Sequence, residues 1–169
     1  TNLFKRLESS GYSFLLSVKR HILRNMVTFY ALENNMPIPI GTQDAAMLDT
    51  ALNDMDMEAI ESDEGEAEIQ PDEALNYTDL DAYCTFAERV YEVYRTEFRK
   101  RFYWLDPRFF KPQLERDLLE DVDALLTVLR KAGEWLPERD AKLAELHRLL
   151  AEKHPQDKVL IFTQFADTA

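Results

Sequence analysis

The 169 residues are enough for one domain with a real core, and 46% apolar with 11% aromatic residues mark a globular chain rather than a disordered one. No run approaches the roughly 18 apolar residues of a membrane span and no signal peptide is visible, so no membrane partner is expected. The net charge of −12 is unevenly laid out: residues 25–88 hold 16 Asp or Glu and no Lys or Arg, while the rest carries 20 basic and 16 acidic side chains, a net of +4.

An acidic insert in a mildly basic scaffold leaves a nucleic-acid partner open. The lone Cys84 excludes an intrachain disulfide and a multi-thiol zinc site, fits a reducing cytoplasm, and reads as a small buried hydrophobe on a helix.

In chain order, residues 1–35 read as one long helix over about 2–34. Phe4, Leu7, Gly11, Phe14, Leu15, Val18, Ile22, Met26 and Phe29 follow the three-and-four spacing of an amphipathic stripe. Lys5, Arg6, Lys19, Arg20 and Arg24 fall largely off that stripe. Asn34 and Asn35, followed by Pro37 and Pro39, stop the helix. At about 1.5 Å per residue it would span roughly 50 Å, the length of an arm or hairpin.

Residues 36–77 form an acidic linker or insert. Met36 to Gly41 reads as extended, Leu48, Ala51, Leu52 and Met55 allow a short helix, and 58–70 combine acids with small side chains and are expected to be mobile. Asp54, Asp56 and Glu58 do not open a calcium loop, because Ala59 holds the glycine position and Gly65 the place of the closing Glu.

Residues 78–156 read as a helical bundle. A helix from Thr78, its expected cap, to about Trp104 carries Leu80, Tyr83, Phe86, Ala87, Val90, Tyr94, Phe98 and Phe102 on one face. A second covers about 113–134, and a third begins at Pro137, a good first helical residue, and ends at His154 and Pro155. The fold class is therefore mainly α, with long antiparallel helices forming a bundle or arm. The helices at 2–34 and 78–104 are expected to pack against each other.

The end differs. Residues 159–162 (VLIF) are an unbroken apolar run, the pattern of a parallel strand buried on both faces, with no partner elsewhere in the sequence. Residues 157–169 therefore read as the start of a further domain, with one orphan strand. The first residues, which lack Met and already show helical periodicity, likewise suggest a piece of a larger α/β protein.

Both ends resemble the helicase-like ATPases of the Swi/Snf type, including their RapA-like (HepA-like) bacterial relatives, within superfamily 2. Lys5, Arg6, Glu8, Ser9 and Ser10 are similar to the lysine-arginine-x-glutamate-serine-serine segment that follows the first RecA-like lobe of that family. Leu143, Leu146, Leu149 and Leu150, then KVLIFTQF at 158–165 with Phe162, Gln164 and Phe165, resemble the opening of the second lobe; Thr163 stands where the family often has Ser. The resemblance covers about 40 residues at the two ends and implies a helical inter-lobe region. Its partners would be the two lobes of the same parent chain and DNA, with ATP and Mg2+ bound elsewhere in that parent.

Nothing in these residues supports catalysis. Gly11, Gly41, Gly65 and Gly133 do not make a phosphate loop, and Asp72-Glu73 lacks the apolar strand of a magnesium-binding box. His21, His147 and His154 have neither metal-ligand spacing nor a nucleophile beside them. No cofactor or metal site is expected in the chain, and no ATP turnover by it alone.

One constellation stands out. Residues 95–111 interleave six cations, Arg95, Arg99, Lys100, Arg101, Arg108 and Lys111, with six aromatics and only two acids. Cations neutralise phosphates and aromatic faces stack on bases. The competing reading puts Phe98 and Phe102 in the core and the cations at a helix C-terminus, where the dipole favours them. Lys19, Arg20 and Arg24 stand between DNA or lobe contact and a solvated helix face. For the whole chain, the alternative to an inter-lobe segment is a non-enzymatic interaction module with an acidic arm.

Overall fold

A computed structural model describes Leu7, residues 10–41 and residues 78–162. Its architecture is mainly helical, with four α-helices and one two-stranded antiparallel sheet among the described residues. In order these are α1 (Gly11–Glu33), β1 (Ile38–Gly41), α2 (Leu80–Thr96), β2 (Phe102–Leu105), α3 (Gln113–Ala132) and α4 (Ala141–Arg148).

Helix α1 is the axis of the packing. Val18, Ile22 and Met26 of the expected stripe are buried, and Phe14, Leu15 and Phe29 pack against the core half-buried. Leu16, Leu23, Val27, Ala31 and Leu32 are buried as well, because α1 touches both α2 and α3. A helix with two neighbours buries two faces, so a single stripe understates it. Arg20 lies in this enlarged buried surface at 3% exposure, not on the solvated face its spacing suggested.

The stop after α1 works as the two asparagines imply, through a Schellman motif. Asn35 takes the left-handed conformation at φ 51°. Its N–H donates to the Leu32 carbonyl at 2.9 Å, and the Met36 N–H donates to the Ala31 carbonyl at 2.8 Å. Tyr91 Oη then donates to the Pro37 carbonyl at 2.8 Å, tying the exit of α1 to α2.

Helix α2 buries Tyr83, Ala87, Val90, Tyr91 and Tyr94 at helical spacing. Its cap is Asp79, which accepts from the Ala82 N–H at 2.8 Å, rather than Thr78. The helix stops at Thr96 instead of running to Trp104: a 3-10 turn at Arg99–Arg101 follows, and then strand β2. Aromatic residues fit a pleated, half-buried surface, and β1 offers the mate. Ile38 pairs with Leu105, Pro39 with Trp104, Ile40 with Tyr103 and Gly41 with Phe102. The expected extended linker is thus a strand; Pro39 fits because a two-stranded sheet consists only of edges.

Helix α3 buries Val122, Leu126 and Leu129 and ends at Gly133, whose φ of 66° suits glycine. Trp135 then closes on the start of α1: a Cβ on Gly11 would lie 3.2 Å from its Cδ1, and its ring is 5.5 Å from that of Tyr12. Pro137 opens only a 3-10 turn, and α4 begins at Ala141, capped by Asp140 through the N–H groups of Lys142 and Leu143. The last turns, Leu149–Lys153, widen into a π-helix.

Two further expectations fail. Residues 159–162 form no strand; Leu160 is 84% and Phe162 90% exposed. No described strand is at hand to pair with them, and the apolar surfaces of α1, α2 and α3 are spent on one another. Cys84 is exposed rather than buried, and its thiol pKa is raised by partial desolvation and by the charges of Asp81 and Glu33. The segments 1–6, 8–9, 42–77 and 163–169, including the expected mobile stretch 58–70, lie outside the described residues.

Replacing Asn35 by Val should lower stability by about 1–2 kcal/mol, the cost of a left-handed backbone for a branched residue, while Asn35→Gly should leave it unchanged or higher. Urea unfolding of the two variants checks this; equal midpoints would refute the motif's role.

Candidate nucleic-acid interface

Strand β2 sorts the aromatic residues of the 95–111 constellation. Phe102 and Trp104 point inward, and Tyr103 points outward. Phe102 lies 4.5 Å from the Tyr94 ring between centroids, and Trp104 meets Tyr91 edge-on at 5.9 Å. Phe98 and Phe110 are also half-buried against the core. That leaves Tyr103 at 69% exposure and Phe109 at 80% as the outward rings.

The cations are placed by the same elements. Arg99, Lys100 and Arg101 occupy the 3-10 turn before β2, all exposed. Trp104 Nε1 donates to the Arg99 carbonyl at 2.9 Å, fixing that turn against the strand. The Arg101 guanidinium carbon sits 5.1 Å from the centre of the Phe98 ring. Arg108, in the 3-10 turn Pro107–Phe109, is exposed and grips Asp106 with two donors, Nε to Oδ1 at 3.0 Å and Nη2 to Oδ2 at 2.6 Å. Lys111 is exposed just beyond. Arg95, on the last turn of α2, is paired with Glu92 at 2.7 Å.

Five exposed cations and two exposed rings thus share residues 99–111, while the other four aromatics of the constellation serve the core. Phe98 and Phe102 lie against the core, as the competing reading has them, and the division between core and surface rings follows the strand. A helical reading of 98–104 has no basis for that alternation; the run of β-forming aromatics from Phe102 to Trp104 was the available signal.

The remaining basic candidates lie on α1. Arg20 is buried and drops out as a DNA contact, whereas Lys19 is half-buried and Arg24 exposed, both on α1. Of the family-motif residues, Ser10 is the buried N-cap of α1 and Phe162 is exposed; Lys5, Arg6, Glu8, Ser9, Gln164 and Phe165 lie outside the described residues. His21 is exposed on α1, its pKa lowered by partial burial and Arg24 against an opposing pull from Asp121. His154 Nδ1 lies 2.9 Å from Asp157 Oδ2. Among the described residues no group of three or more His, Cys, Asp or Glu is placed to hold a metal ion, and no helix is long and apolar enough to cross a membrane.

No family model, curated protein or solved structure matches the chain.

The Arg108 grip sets a titration. Its side chain and backbone N–H hold the Asp106 carboxyl at about 2, below the ordinary 3.8. A depressed carboxyl pKa means the pairing is in place above the ordinary value and is lost as pH falls through about 2. NMR titration should find Asp106 ionised at about pH 3, and Arg108→Ala should raise its midpoint toward the ordinary range, the backbone N–H keeping part of the depression. An unmoved midpoint would refute the pairing.

Proposed function

We propose that the chain is the helical inter-lobe region of an ATP-driven DNA translocase or helicase of the Swi/Snf type. It couples the movement of two RecA-like lobes and touches DNA through residues 99–111. The observation that carries this reading is the character of the segment after α3. Helix α4 has no buried residue although Leu143 and Leu149 lie on it and on its continuation, and the VLIF run that follows is exposed. Apolar surface of this extent calls for a cover. It falls where the family resemblance puts the opening of the second lobe.

Within this reading α1 acts as a strut. Glu33 lies near Cys84, Tyr30 near Glu88 and Tyr91, and Arg24 near Tyr94. Tyr12 meets Trp135, just past α3, and His21 senses Asp121. The order of these contacts supports an antiparallel course of α1 against both α2 and α3. A three-helix body of that kind moves as a rigid lever and carries the basic turn with it.

The parent protein should hydrolyse ATP, be stimulated by DNA, and lose most of that stimulation when Arg99, Lys100 and Arg101 are all changed to Ala. The salt slope of DNA binding should flatten by about 0.9 for each phosphate that the substitutions leave without a cation. The present chain alone should show no turnover. DNA-independent hydrolysis by the parent, or a stoichiometric complex of this chain with a basic protein in place of DNA binding, would favour the interaction module.

A further inference from the structure

We propose that the surface at 99–111 takes unpaired nucleotides, with Tyr103 and Phe109 stacking on bases while the neighbouring cations hold the phosphates. This rests on the DNA contact proposed above and narrows it from nucleic acid in general to a single strand.

Exposed aromatic rings carry a cost. Leaving a phenylalanine in water forgoes the stabilisation its burial would give. In the same stretch Phe98, Phe102, Trp104 and Phe110 are turned to the core, so inward packing was available to this segment. Tyr103 and Phe109 are held outward by backbone geometry: one by the alternation of β2, opposite exposed Ile40, the other by the Pro107–Phe109 turn.

Each outward ring has cations beside it in sequence. Arg101 stands two residues before Tyr103, Arg108 immediately before Phe109, and Lys111 two residues after it. With five residues between them, their Cα atoms lie at most about 22 Å apart. Alternating rings and positive charges match the alternation of bases and phosphates along one strand. In a closed duplex the base faces are stacked on each other and a surface ring has nothing to cover. Duplex contact would use the cations and leave Tyr103 and Phe109 bare.

The chemistry of the cations favours phosphate. Three of the five are arginines, whose planar forks take phosphate oxygens in pairs. Arg108 already presents that fork to the two oxygens of Asp106, a geometry a phosphate can take over. Arg101 already lies over an aromatic face, the contact a guanidinium makes with a base.

The test uses the full chain and the fluorescence anisotropy of a labelled oligothymidylate of about 20 nucleotides, beside a duplex of equal length. Tyr103→Ala and Phe109→Ala should each weaken oligothymidylate binding about tenfold and leave duplex binding within about twofold. Tyr103→Phe and Phe109→Trp should restore it. Changing Arg99, Lys100 and Arg101 to Ala should weaken both polymers. Far-UV circular dichroism confirms that each variant is folded.

Equal losses on both polymers in the ring variants would overturn the stacking while leaving the phosphate contact standing. So would ring variants that bind oligothymidylate as the parent chain does. Failure of the unaltered chain to bind oligothymidylate, or ring-dependent binding to phosphatidylserine vesicles in its place, would overturn the inference. The DNA-stimulated ATPase of the parent reads out the broader function separately.

Discussion

Helix α1 carries more apolar surface than one neighbour can cover, and the arrangement of the other helices follows from that surplus. Val18, Ile22 and Met26 would suffice for a helix lying on one partner; Leu16, Leu23, Val27, Ala31 and Leu32 are buried as well. Two amphipathic helices, each with a narrow buried stripe, answer it: Tyr83, Ala87, Val90, Tyr91 and Tyr94 on α2, and Val122, Leu126 and Leu129 on α3. Burial scales with apolar area removed from water. The element with the most to bury takes the centre, and those with less keep a charged face outside.

The small sheet is a second consequence. The Schellman motif at Asn35 turns the chain sharply out of α1, and Tyr91 holds the exit through the Pro37 carbonyl. From there Ile38 enters the core fully buried and sets the register that pairs Ile40 with Tyr103. Trp104 gives its indole N–H to the Arg99 carbonyl, so a run of three adjacent cations is held in a tight turn. The basic surface is positioned by aromatic residues that do not themselves reach it.

Much of this can be read from the residues in order, and the failures share a cause. The helices around Val18, Val90 and Val122 are clear because their apolar periodicity is local. The stop at Asn34 and Asn35 is clear because a left-handed residue and nearby prolines have local meanings. What escapes is pairwise. The strand at 102–105 has helix-compatible spacing with the turns before it, and only its mate at 38–41, more than 60 residues earlier, decides the matter. Arg20 sits off one stripe and on the other, a distinction visible only once both partners of α1 are placed. The VLIF run looks like a strand because its composition is that of one, but a strand needs a neighbour. For the basic and aromatic constellation, the content was legible and the division between core and surface was not.

The central position of α1 also bears on how the chain is made. Its partner α3 begins roughly 80 residues after α1 ends, with α2 and the acidic stretch between them. During synthesis at about 5–20 residues per second, the face of α1 that α3 covers stays bare for several seconds at least before α3 follows. The acidic stretch lengthens that wait more than it weakens the finished fold, since doubling a loop costs only about 0.6 kcal/mol of closure entropy. Its 12 carboxylates, with no Lys or Arg among residues 42–77, keep the half-made chain strongly charged through the interval in which its most apolar helix has nothing to pack against.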